Sequence, residues 1–256
     1  MSAIDRERDA LSKVAPGDLE AYLLDHSNLP GPRGNLELLA AAVEVVPAGR
    51  LAEWATLSPE EAPGGTAREY LPVVGVTGIG RLLSEAGDGA ERRPLLDALA
   101  THAADPRWRV REGVAMALQR FGAADFAALL DETRAWAASG ERFRQRAAVA
   151  GLCEPPLLTD AVRGAEVLAI LDAITETFVA APDARSEPFR VLRQALGYGW
   201  SVAAVAAPHA GFAAMERWLG SPDRDVRWVM RENLKKNRLA RLDPAWVAAA
   251  AQRIGL

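Results

Sequence analysis

The chain has one cysteine, three histidines and three lysines among its 256 residues, and almost nothing that reads as a β-strand. Each shortage excludes a class of answer. Cys153, in "AVAGLCEPPLL", has no partner for an internal disulfide, and no CxxC pair exists to hold zinc. It is expected to be a small buried residue of a cytoplasmic protein. His26, His102 and His209 show neither HxH nor HxxxH spacing, so no metal site is expected. The opening "MSAIDRERDALSK" is charged and lacks an apolar run, which argues against a signal peptide. Gln194 to Met215 carries no Asp, Glu, Lys or Arg. A membrane-spanning helix needs about 20 predominantly apolar residues. This stretch is mostly alanine, glycine and serine, with Pro208 and His209 inside it. Two short packed helices joined at "APHAG" are predicted instead, with no membrane partner.

What is present is helical. Half of the residues are hydrophobic and a quarter are charged, enough for a packed core. The net charge of −4 argues against a surface that coats nucleic acid everywhere, and permits a local basic patch. Spacing near 3.6 predicts helices over "NLELLAAAVEVV" (35–46), "FAALLDETRAWAA" (126–138) and "AEVLAILDAITETFVA" (165–180). Four pairs, Ser58-Pro59, Asp105-Pro106, Ser221-Pro222 and Asp243-Pro244, place a capping side chain before a proline and are read as helix starts. Helices of roughly 10–18 residues joined by short turns make an all-α chain.

Two segments align without a gap, "DPRWRVREGVAMAL" (105–118) and "SPDRDVRWVMRENL" (221–234). Val110 matches Val226, Arg111 matches Arg227, and Leu118 matches Leu234. Looser copies, "ERFRQRAAVAGL" and "SEPFRVLRQAL", place Arg146 and Arg190 in the arginine position. The successive spacings of 35, 44 and 37 residues are those of two-helix repeats.

On these residues the chain resembles the HEAT-repeat family. The "D-V-R" run at Asp225, Val226 and Arg227, and "W-R-V-R" at Trp108 to Arg111, look like the second helix of a HEAT unit. The resemblance implies a right-handed α-solenoid of roughly six two-helix units. It covers residues 90–256, and residues 1–90 are expected to be irregular or capping repeats of the same single domain, 1–256. It also implies a structural role for Arg111, Asp225 and Arg227, as polar ladders between adjacent repeats. Arg146 matches the ladder arginine too.

The segment 221–253 holds eight basic and four acidic residues, a net of +4, so the rest of the chain carries −8. On one continuous helical wheel Val226, Val229, Met230 and Leu234 form an apolar arc. Arg224, Arg227, Arg231, Lys235 and Arg238 fall on a separate stripe. Asn233 and Asn237 fall in the apolar arc, where their amides need partners on a neighbouring repeat. Once the ladder is set aside, Arg231, Lys235 and Arg238 have no architectural duty. They are read as a solvated face, a surface for an acidic protein partner, or a phosphate-binding column. "RFRQRAAVAGL" (142–152), with Arg144 and Arg146, is distantly similar to a helix of the HEAT-like alkylpurine DNA glycosylases. In that family an arginine here approaches DNA, which implies Arg146. The aromatic-flanked aspartate motif of those enzymes is not found, so the scaffold is carried over and the activity is not.

Other motifs are weaker. "GVTGIG" (75–80) lacks the spacing, preceding strand and following Lys-Ser/Thr of a phosphate loop, and is read as a helix with glycines at a tight helix contact. "SPEE" (58–61) is a capping box. "NLPGPRGNLEL" (28–38) is a stiff turn with Asn35 as N-cap, or a rigid loop presenting Arg33 for recognition. No catalytic, metal or cofactor motif emerges, so no cofactor is expected, and the enzyme question stays open with the balance against it. The expectation is a non-catalytic scaffold for a protein partner. The alternative is a DNA-binding or alkylated-DNA-processing repeat protein with a basic groove.

Overall fold

A computed structural model describes residues 2–87 and 89–255, and among them there is no β-strand. The helices are α1 (Ala3–Leu11), α2 (Leu19–His26), α3 (Leu36–Val45), α4 (Ala48–Ala55), α5 (Tyr70–Glu85), α6 (Gly89–His102), α7 (Trp108–Ala124) and α8 (Phe126–Ala138). They continue with α9 (Arg142–Leu152), α10 (Ala161–Glu176), α11 (Glu187–Ala206), α12 (Pro208–Leu219), α13 (Arg224–Leu234), α14 (Asn237–Leu242) and α15 (Pro244–Arg253). The fold is all-α, as expected. Two compact units are distinguished, Met1–Phe121 and Gly122–Leu256, with the division inside α7.

Local chemistry sets the helix ends. The side chains of Ser2, Asn35, Asp125, Asp160, Ser186, Asp223 and Asp243 each accept a hydrogen bond from a first-turn N–H. Asn35 is therefore the N-cap that was predicted, and Arg33 beside it is exposed. Of the four capping-residue–proline pairs, Asp243-Pro244 opens its helix directly. At Ser221-Pro222 the cap is Asp223, two residues on. At Ser58 the box closes, with Ser58 N–H donating to Glu61 at 2.9 Å, but only a turn follows. Pro63, Gly64 and Gly65 stop the helix that the box would start.

In the N-terminal unit α5 is the hub, packed against α2, α3, α4 and α6, while α1 packs on α3. The glycines of "GVTGIG" are buried in α5 at close helix contacts, as predicted. A Cβ on Gly75 would lie 2.3 Å from the Ala55 backbone nitrogen, and one on Gly80 would lie 2.4 Å from the Ala117 carbonyl oxygen.

In the C-terminal unit the pairing is regular. The hairpins α8–α9, α10–α11, α12–α13 and α14–α15 are each in contact. Alternate helices also touch: α8 with α10, α10 with α12, α9 with α11, and α11 with α13. Two rows of helices joined by hairpins are the packing of an α-solenoid. The four segments that align in sequence fall on α7, α9, α11 and α13, every second helix. The charge-free stretch divides between α11 and α12 as predicted, and no described helix is long and apolar enough to cross a membrane. Cys153 is buried, and burial pushes its thiol up to about 12, against the opposing charge of Arg238.

Candidate interaction surface

Most of the chain's arginines are tied into the fold, and the repeat shows in how they are tied. Arg111 donates to the carbonyls of Asp105 (2.7 Å) and Pro106 (3.3 Å). Its counterpart Arg227 donates to those of Ser221 (3.1 Å) and Pro222 (2.6 Å), the same two positions of its own loop. Each guanidinium thus closes the turn before its own helix. The contact to a neighbouring helix is made two residues earlier in both copies. Asp225 on α13 pairs with Arg193 on α11. Arg109, at the matching place on α7, pairs with the buried Glu69 at 2.9 Å. The sign of the pair is reversed between the copies, and a tryptophan lies against the arginine in each: Trp228 on Arg193, Trp108 on Arg109. Arg190, the aligned arginine of α11, is exposed.

Asn233 is fully buried, and its amide is satisfied as predicted. Its Nδ2 donates to the carbonyls of Leu196 and Val229, each at 2.8 Å, and its Oδ1 accepts from the Ser201 N–H at 2.8 Å. Asn237 differs from expectation. The single wheel that placed it in the apolar arc assumed one helix, but α13 ends at Leu234, Lys236 is extended, and Asn237 opens α14 as an exposed residue. The break lets Leu239 reach full burial. On a continuous helix Leu239 would sit about 140° from Leu234, away from the core.

The same break divides the predicted stripe. Arg231, on α13, is half-buried and donates to the Ile254 carbonyl at 3.4 Å. Lys235 caps the end of α13 and pairs with Glu232 at 2.6 Å. Arg238 belongs to α14, is exposed, and has no acidic partner among the described residues; the same is true of Arg241. Lys236, in the link, likewise has no acidic partner there. Arg253 is paired with Glu216, and Arg224 with Asp225. The uncommitted charge of the basic end is therefore concentrated on Lys236 to Arg241.

Arg238 also lines a cleft of about 400 Å³. Its apolar walls are Pro155, Leu158, Val202, Val205 and Ala206, and its polar lining is Thr159, Asp160 and Arg238. Asp160 is engaged in capping α10: its carboxylate accepts from Val162 N–H and Arg163 N–H, each at 2.9 Å, and these bonds hold its pKa below the ordinary value.

On α9, Arg144 and Arg146 are half-buried. The residue that organises this helix is Arg142, which the sequence reading passed over. It holds Asp183 through two nitrogens (3.0 and 3.1 Å), donates to Thr177, and lies against Phe178 and Phe189. Arg107 was missed as well. It is buried, forked onto the Asp105 carboxylate at 2.7–2.9 Å, and donates to the carbonyls of Leu57, Ser58 and Ala62. No sequence signal separates these arginines from exposed ones. One tryptophan–aspartate contact comes from tertiary structure: Trp218 Nε1 donates to Asp172 Oδ1 at 2.7 Å, and Arg217 takes Oδ2 at 2.5 Å. That carboxylate is held on both oxygens.

No protein-family model matches the chain, and no curated protein matches it. Among solved structures it is similar to a designed armadillo repeat protein, with 15% identity, 91% of this chain and 98% of that one covered, and a TM-score of 0.36. An engineered protein from the Northeast Structural Genomics Consortium has 14% identity, 98% of each chain covered and a TM-score of 0.36. A second from the same consortium has 14% identity, 91% and 57% covered, and a TM-score of 0.38. The assignment of a helical-repeat fold rests on the helix pairing described above.

Proposed function

We propose that this chain is a non-catalytic HEAT-like repeat scaffold that binds a protein partner through its basic C-terminal end, where Arg238 takes part and Arg231 and Lys235 flank the contact. The observation that carries this reading is the coincidence of uncommitted cations on α14 with an open, largely apolar cleft. Many arginines elsewhere, such as Arg107, Arg109 and Arg142, are tied into carbonyls and carboxylates. Among the described residues, none of the exposed ones without a bond, such as Arg33 and Arg190, lines this cleft. An apolar depression rimmed by charge suits a protein surface, where anchor side chains fill pockets and rim charges set orientation.

Purified chain is expected to retain a protein partner from nuclease-treated extract, and the Arg238→Glu, Arg241→Glu double variant to lose it. The second reading, DNA binding by the same cations, requires generic duplex binding that falls steeply with salt. Retention that vanishes with nuclease, together with salt-sensitive duplex binding, would replace the first reading with the second. Release of an alkylated base from alkylated duplex would instead make the chain an enzyme.

A further inference from the structure

The cleft beside α14 specifies more than a protein in general. It has two aliphatic walls, one from the loop after α9 (Pro155, Leu158) and one from the end of α11 (Val202, Val205). Val205 is 40% exposed, and on the first turn of α10, next to the rim residue Asp160, Val162 is 72% exposed. The cleft's size, about 400 Å³, lies at the small end of the roughly 300–1,000 Å³ of ligand pockets. That suits one large side chain rather than a whole element. Arg238 lines it, and neither Arg238 nor its neighbours Lys236 and Arg241, on α14 and the link before it, forms a salt bridge among the described residues.

Building on the scaffold reading, we propose that the occupant is an acidic segment of a partner protein. It would seat one large apolar side chain in the cleft and set flanking Asp or Glu residues against Lys236, Arg238 and Arg241. Charge complementarity selects this occupant. A nucleic-acid backbone would use the cations and leave the aliphatic walls bare. An apolar segment without acids would leave Arg238 at the rim, and Lys236 and Arg241 near it in sequence, unanswered.

The test is fluorescence anisotropy on the full chain with a labelled synthetic peptide in which one tryptophan is flanked on both sides by glutamates. Saturable binding is expected, weakening as salt is raised. Replacing the peptide's tryptophan by alanine is expected to weaken binding about tenfold or more, consistent with loss of a buried anchor. A lysine-flanked version should not bind. Arg238→Glu, at an exposed position, is expected to leave the circular dichroism spectrum and melting temperature unchanged and to weaken the acidic peptide about tenfold. Arg241→Glu serves as the second variant, with a smaller loss. Equal binding of the tryptophan and alanine peptides, or full binding by folded Arg238→Glu, overturns the proposal. So does self-association of the chain that Arg238→Glu abolishes, since the occupant would then be a second copy. If nuclease-resistant capture of a protein persists in Arg238→Glu and is lost only in the Arg238→Glu, Arg241→Glu double variant, the cleft proposal fails and the scaffold reading stands. If only duplex binds, both fail.

Discussion

Asn233 joins α13 to α11 through a single buried amide. Its amide is bonded at both ends to backbone groups of α11, so truncation leaves the Ser201 N–H and the Leu196 carbonyl without that partner in a dry contact. Asn233→Ala is expected to cost about 1–3 kcal/mol, measured by urea unfolding, with most of the loss in the midpoint. A variant as stable as the parent would show that the bonds are replaceable. Cys153 gives a second prediction at this scale. Its thiol is buried and its pKa is raised from the ordinary 9.0 to about 12. The thiolate is therefore suppressed at neutral pH, and labelling by a thiol reagent is expected only upon unfolding. Native-state labelling at the rate of the denatured chain would contradict this. Both residues were legible beforehand: an amide in an apolar arc needs partners, and a lone cysteine in a small-residue run tends to be buried. Arg107 and Arg142 were not, because their bonds run to carbonyls and acids 35 to 50 residues away as well as to near ones.

At the scale of elements, helix contacts depend on small residues. In α5, Gly75→Ala would press a methyl group against the Ala55 and Leu51 backbones at 2.3 and 2.7 Å. Since backbone cannot swing aside as a side chain does, a loss of about 1–3 kcal/mol or more is expected. Gly49, in α4, has nothing within 4 Å of where its Cβ would stand. Gly49→Ala is expected to be neutral or to stabilise by about 0.4–1 kcal/mol. Thermal melts of the two variants compare the effects directly, and equal shifts would mean that α5 is not tightly docked. A pH prediction belongs to the tie between α9 and the loop before α11. The hydrogen bonds from Arg142 are the main cause that lowers the Asp183 pKa below its usual 3.8. A carboxyl lowered in the folded state contributes stability above its unfolded pKa, and that contribution disappears as pH falls through the folded value. The melting temperature of Asp183→Asn is therefore expected to lie below the parent's at neutral pH, with the gap closing under pH 3.8 and beyond. A gap independent of pH would remove the charge from the explanation. The helix break at Lys235–Lys236 shows where element-level reading failed. A wheel drawn through it gave one stripe, whereas the need to bury Leu239 divided the stripe in two.

Across the whole molecule the charge is lopsided, +4 over 221–253 against −8 elsewhere. Binding through the basic end is expected to weaken as salt rises, and to weaken less in Arg238→Glu, because that variant has one fewer attractive contact to screen. Titration at two ionic strengths checks this, and an identical salt slope for parent and variant would place the contact elsewhere.

By itself the sequence determined the all-α class, the repeat on alternate helices, the glycine-tight helix in 70–85 and the caps at Asn35 and Asp243. All of these follow from local propensity and from periodicity along one chain. Only tertiary structure decided which cations remain uncommitted. Whether an arginine is glue or surface depends on which carbonyls and carboxylates arrive from distant helices. It also decided that Arg238 stands at an apolar cleft, because the walls come from segments more than 30 residues away in the chain.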